Sequence, residues 1–319
     1  MQAALEARII QENWEEAVRN ASNLSELCLT LGDFAKALHC ADQSCALADR
    51  SGDASYKWAA RGRLALLHHQ AGNIAESEFT FSEAETILKK SNPIVNFLYS
   101  DVGFHYCDLF LSQGNVQNVL SRAEQTLKYE SGGWYSLLSI ALDHLSLGRA
   151  YLQQVRQKKT NEFTAAVTHL RQAVDGLRQA GHQEFLSRGL LARAELHRVV
   201  GDFAKAQRDL DEAFKIATRG GMRLHEADCH LEYARLHLAM GEKDKAQESW
   251  AKAKKMIEEM GYHRRDPEIH LIEAQLHLSS GEKDKARESL AKAKELIDKM
   301  GMHRWDVEVE KLEKVISAQ

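Results

Sequence analysis

Proline is nearly missing from this chain: Pro93 and Pro267 are the only two in 319 residues. A sequence so poor in helix breakers has no Pro-rich linker and no seam between domains, and it favours helix throughout. Long apolar runs are missing as well. The apolar stretches fall far short of the ~20 residues a membrane span needs, and "MQAALEARIIQENW" at the start carries acidic residues where a signal peptide has an apolar core. No membrane partner is expected. Five cysteines (Cys28, Cys40, Cys45, Cys107, Cys229) are odd in number and lack paired spacing, which fits reduced thiols and a cytoplasmic location. A net charge of -4 supplies no basic stripe, so no nucleic-acid partner is expected. Neither a GxxxxGK[ST] loop nor a GxGxxG after a strand occurs, which excludes those two routes to a bound nucleotide.

What is present is repetition. "GEKDKAQESWAKAKKMIEEMG" runs from Gly241 to Gly261, and forty residues later "GEKDKARESLAKAKELIDKMG" runs from Gly281 to Gly301. The same phase is met at "GDFAKA" (Gly32 and Gly201), "GNIAES" (Gly72), "GNVQNV" (Gly114) and "NEFTAA" (Asn161), giving seven turns spaced 40, 42, 47, 40, 40 and 40 residues apart. The spacing of 47 holds a normal unit plus a polar insertion around "VRQKKT", Val155–Thr160. Each unit reads as two helices. In the sixth, Leu224, Ala227, Leu231, Ala234 and Leu238 form a stripe at three- and four-residue spacing before Gly241 breaks the helix. Small residues recur five positions after the turn glycine (Ala37, Ser77, Ala206, Ala246, Ala286) and twelve after it (Ala84, Ala213, Ala253, Ala293), where two helices must approach closely. Phe81, Leu210, Trp250 and Leu290, nine after it, fill the space between pairs, and Phe34 and Phe203 pack the turn. One copy cannot bury its own apolar face; stacked copies bury a continuous core.

The glycine–acid–aromatic turn, the small residue after it and "LSLGRAYL" (Leu145–Leu152) resemble the tetratricopeptide repeat, with a period longer than the usual ~34 residues. The pattern is similar to the long-helix arrays at the C-terminal end of bacterial STAND signalling ATPases of the NACHT and MalT-like type. The resemblance implies an all-α fold, a right-handed α-solenoid of seven helix pairs forming a single superhelical domain over 1–319, with turns near 32, 72, 114, 161, 201, 241 and 281. A remnant or N-terminal cap helix is expected over 1–13. Leu312, Val315 and Ile316 on one side of "VEVEKLEKVISAQ" mark a polar capping helix over 305–319. The resemblance further implies a non-catalytic scaffold or sensor that binds a protein or peptide in its concave groove, attached to an N-terminal ATPase part of a longer bacterial protein. Small-molecule sensing is the alternative.

No cofactor, metal or catalytic site is expected. His225, Cys229 and His230 in "HEADCHLEYARLH" fail the zincin pattern because cysteine stands where histidine is needed. They read as surface histidines with a buried thiol, and "HCADQSC" (His39–Cys45) has the same reading. His68, His197, His237 and His277 each precede a turn glycine by four residues, where a half-buried imidazole bonded to a backbone carbonyl is expected. The resemblance places positions thirteen, ten and six before each turn glycine on the concave face. Candidates for binding there are Asp101, Phe104, Asp108, Arg149, Arg188, Glu195, Asp228 and Arg235. The third unit is rich in aromatics, with five Phe or Tyr residues in "FLYSDVGFHYCDLF" (Phe97–Phe110) and "GGWYSLL" (Gly132–Leu138) close behind. Filling of an irregular junction explains this, and so does a binding hot spot centred on Phe104 and Asp108 facing Arg149 and Arg188. Arg156, Lys158 and Lys159 read as a solvated loop.

Overall fold

A computed structural model describes residues 1–130 and 136–318, with the side chains of Tyr129 and Glu130 left aside. The described residues hold sixteen α-helices and no strand. A lone first helix α1 (Gln2–Ile10) precedes seven antiparallel pairs: α2 (Trp14–Thr30) with α3 (Phe34–Ser51), α4 (Ala54–Gln70) with α5 (Ile74–Ser91), α6 (Ser100–Ser112) with α7 (Val116–Glu130), and α8 (Leu137–Lys158) with α9 (Thr164–Ala180). Then come α10 (Gln183–Val199) with α11 (Phe203–Gly220), α12 (Arg223–Met240) with α13 (Lys243–Met260), and α14 (Asp266–Ser279) with α15 (Lys283–Met300), closed by α16 (Asp306–Ala318). Short 3-10 turns, His263–Arg265 and His303–Trp305, lead into α14 and α16.

One local device makes six of the seven turns. A glycine with φ between +77° and +83° (Gly32, Gly72, Gly114, Gly201, Gly241, Gly281) follows the first helix. The next residue's N–H then reaches back to a carbonyl five residues earlier, as from Asp33 to Cys28 (2.9 Å) and Glu242 to His237 (2.8 Å). This is the Schellman arrangement, which satisfies carbonyls the helix end would otherwise orphan. Asp33 and Asp202 cap the second helix by accepting from the N–H groups of Lys36 and Lys205. Glu242 and Glu282 instead accept from the histidine of the helix before, His237 Nδ1 at 2.8 Å and His277 Nδ1 at 2.7 Å. Those two imidazoles therefore meet a carboxylate side chain and not a backbone carbonyl; His197 lies 3.8 Å from Asp209, and His68 Nδ1 has no partner.

The fourth unit departs from the expected turn. Its insertion lengthens α8 to 22 residues, so Arg156 and Lys158 are helical, and Lys159 ends the helix in the left-handed conformation (φ 53°). The small positions after the turns, Ala37, Ser77, Ala206, Ala246 and Ala286, are buried, as are Ala84, Ala213, Ala253 and Ala293. On α16, Val309, Leu312 and Ile316 are buried, whereas Val315 is 43% exposed and takes no part in the capping contact. His225 is buried and not a surface group.

The array coils until its ends meet. A Cβ built on Gly32 would lie 2.6 Å from Met260 Sδ, one on Gly72 2.7 Å from Met300 Cε, and one on Gly114 3.5 Å from His303 Cβ. At Gly201, Gly241 and Gly281 nothing approaches within 4 Å. Phe34 stacks on Tyr262 with ring centroids 6.0 Å apart, so it packs the far end as well as its own turn. Lys159 pairs with Glu310 at 3.0 Å, across 151 positions of sequence.

Candidate functional site: an arginine-walled cavity inside the closed superhelix

The first helices of the pairs face inward, and the two 3-10 turns enter the same space from the C-terminal end. Together they line a partly open cavity of about 100 Å³. Phe104, Asp108, Arg149, Arg188, Glu195, Asp228 and Arg235 all lie on its wall, as does Leu145. Asp101 does not; it sits half-exposed in the first turn of α6. Residues 132–135 of the aromatic segment lie outside the described residues.

Asp108 is the hinge of the arrangement. It is 2% exposed and accepts from Arg264 Nη2 at 2.9 Å and from Arg149 Nη2 at 2.5 Å, with Arg264 Nη1 ion-paired at 2.7 Å, while Arg264 also donates to Gln70 (3.3 Å) and Ser112 (3.2 Å). One guanidinium thus ties the second and third units to the turn after α13, 156 positions away from Asp108. Burial pushes the Asp108 carboxyl upward, but Arg264 and Arg149 outweigh it and hold it well below the ordinary range. His69, 0% exposed, donates or accepts with Ser112 at 3.0 Å; burial, with Arg264 next, drives its pKa well down and keeps it neutral.

The other carboxylates on the wall are also claimed. Glu195 accepts from Arg156 (2.6 Å), Asp228 from Arg265 (2.8 Å) and Glu232 from Arg198 (2.6 Å). Arg235 bridges Glu268 (3.1 Å) and Glu308 (2.8 Å). Burial raises Glu195, yet Arg156 and then Arg304 bring it down overall, whereas Glu232 is raised by burial and by Glu195.

Two aromatic rings hold the cations apart. Arg149 and Arg188 each stand 6.0 Å from the Phe104 centroid, and Arg235 and Arg304 stand 4.9 Å and 4.4 Å from that of Trp305. Arg264, Arg265, Arg304 and Trp305 were not among the sequence candidates. The signal was there: the duplication runs past the glycine, as "GYHRRD" (Gly261–Asp266) and "GMHRWD" (Gly301–Asp306), and so repeats an arginine at one phase of a turn. Both copies fold alike, with His263 on Asp266 (2.9 Å) and His303 on Asp306 (3.3 Å), and both aim Arg264 and Arg304 into the cavity. Among the described residues no cluster of His, Cys, Asp or Glu could hold a metal ion, and no helix is long and apolar enough to cross a membrane.

The helix pairs, the glycine turns and the small residues between them decide the architecture. The fold is a TPR-like helical repeat. A family profile described as Anaphase-promoting complex subunit 5 matches residues 150–221, less than half of the chain. No curated protein matches. Among solved structures, a tetratricopeptide repeat protein from Parabacteroides merdae ATCC 43184 is 13% identical, with 95% of this chain and 99% of that chain covered and a TM-score of 0.48. Yeast Tom70 is 12% identical, with 98% and 83% covered and a TM-score of 0.34.

Proposed function

We propose that this TPR-like array is a non-catalytic binding module that senses a small molecule in its central cavity. The observation behind the reading is the convergence there of residues from both ends of the superhelix. Phe104, Asp108 and Arg149 come from the first half of the array, and Arg235, Arg264 and Arg304 from the last units. A ligand touching both sets binds the closed form better than an open one, and that difference in affinity is what couples occupancy to shape. Repeat arrays commonly bind proteins on a concave face, but here a peptide along the groove requires the Arg264–Asp108 contact to part. The small-molecule reading needs no such opening.

A thermal-shift screen over sugars, nucleotides, organic acids and short peptides tests this, with Phe104→Leu and Arg188→Gln alongside. Stabilisation by a small molecule, lost in both variants, is the expected result. Stabilisation by peptides alone, or equal responses from the variants, contradicts it. The finer reading, that closure reports to an N-terminal ATPase part of a longer bacterial protein, is supported by the sequence resemblance; a native intact mass well above 36.0 kDa is its test.

A further inference from the structure

We propose that the cavity binds a tetrahedral oxyanion, free phosphate or the phosphoryl group of a small phosphate monoester, through Arg188, Arg235, Arg264 and Arg304. This rests on the ligand-binding reading above and names the class of ligand. Every carboxylate on the wall already has a guanidinium within 3.1 Å. Arg304 is the cation left over. It lines the cavity, and among the described residues no carboxylate comes within 4.0 Å of it. Its partner is the face of Trp305, at 4.4 Å. An aromatic face steadies a guanidinium without discharging it and leaves the N–H edge free for an acceptor.

Unused donors lie close by. Arg235 and Arg264 are 7% and 3% exposed, yet Arg235 Nη2 and Arg264 Nε have no acceptor, and neither does Arg188 Nε. Arg188 meets its own carboxylate, Glu184, only at 3.6 Å. Buried donors of charged groups are costly to leave unpaired. An oxyanion satisfies several at once, because each of its oxygens accepts from a different guanidinium. Burial, opposed by Glu195 and Glu268 and aided by Arg149 and Arg265, pulls the Arg304 pKa down to about 10, in keeping with a cation short of compensating charge. The cavity of about 100 Å³ has room for one such group, and a monoester would extend it toward Phe104 or Leu145.

Calorimetric titration of the whole chain with inorganic phosphate and with phenyl phosphate, at fixed ionic strength with chloride and succinate as references, tests the assignment. Arg304→Gln breaks no ion pair among the described residues and should fold as the wild type does. The expected result is a single site for one or both phosphates, weakened about tenfold or more in Arg304→Gln and unchanged in Arg287→Gln on the outer surface. Tighter phenyl phosphate assigns a monoester, and tighter inorganic phosphate the free ion. Absence of phosphate binding above chloride, succinate binding as tightly as phosphate, or full affinity in both Arg304→Gln and Arg188→Gln overturns the proposal. In those cases a neutral ligand whose binding is lost in Phe104→Leu leaves the sensing reading standing, and no cavity-dependent ligand of any charge removes both.

Discussion

Replacing Asp108 by asparagine keeps the shape of the side chain and removes its charge. In the native protein this carboxylate, 2% exposed, neutralises Arg264 (3% exposed) and Arg149. The variant therefore buries a guanidinium with no counter-charge. Breaking a buried pair from one side costs about 3–5 kcal/mol, which is a large part of the roughly 5–15 kcal/mol available to a folded domain. Arg264→Met alone should cost less, because Asp108 keeps Arg149. In the Asp108→Asn background Arg264→Met should be nearly neutral or stabilising, since it removes the stranded cation, so the double-mutant cycle should show coupling of about 2 kcal/mol or more. Urea unfolding at neutral pH, followed by circular dichroism, reads all four proteins. The sign with pH is fixed as well: Asp108 has a depressed folded pKa, so its stabilisation is present above the ordinary 3.8 and is lost as the pH falls through the folded value. The gap between wild type and Asp108→Asn should close in that acid window. Additive free energies, or a loss below about 0.5 kcal/mol in Asp108→Asn, would show that the ends of the array do not meet through this pair.

Other consequences follow from the same contacts. Gly32→Ala and Gly241→Ala both place a Cβ at φ near +80°, a strain of about 1–2 kcal/mol, but only Gly32 then meets Met260 at 2.6 Å. Thermal melts should find Gly32→Ala the less stable by about 1–3 kcal/mol more, and equal melting points would deny the close approach. Burial, then Arg188, lowers His225 to about 4 from the ordinary 6.5, so the unfolded chain takes up a proton that the folded chain refuses between these values. Stability should fall as the pH drops from about 6.5 toward 4, by about 2 kcal/mol at pH 5 from this one residue; His69 and His105, lowered chiefly by burial, act in the same direction. A melting temperature flat over that range, or no gain in acid stability for His225→Gln, would refute it. Removing residues 307–319 uncovers the surface that Val309, Leu312 and Ile316 bury, and light scattering should show association of the truncated chain; a monomeric, equally stable product would contradict the capping role.

Local pattern carried much of this structure. The turn glycines, the alanines five and twelve residues beyond them and the paired helices follow from spacing alone, because each is set within about forty residues of chain. Counting back from the glycines also picked out Phe104, Asp108, Arg188, Glu195, Asp228 and Arg235, which share one wall. Closure was not legible. Arg264 and Asp108 stand 156 positions apart, and whether they meet depends on small rotations between repeats that add up along the array. An open groove was therefore expected where the structure has a partly open cavity walled from both ends of the array. The histidine–carboxylate clasps at Glu242 and Glu282 were missed for a local reason. A backbone carbonyl was expected as the partner of each imidazole, whereas the glutamate beside the turn glycine has a side chain long enough to fold back to the preceding helix and take that place.

The most direct measurement of closure uses native residues. Zero-length carbodiimide coupling of Lys159 to Glu310, both more than half exposed and 3.0 Å apart, followed by mass spectrometry of the monomer band, asks whether α8 and α16 touch. The joined peptide spanning Lys159 and Glu310 is the expected product. Its absence from the monomer, with Lys159 coupling only to sequence neighbours or between molecules, would mean that the superhelix stays open and that the cavity does not exist in solution.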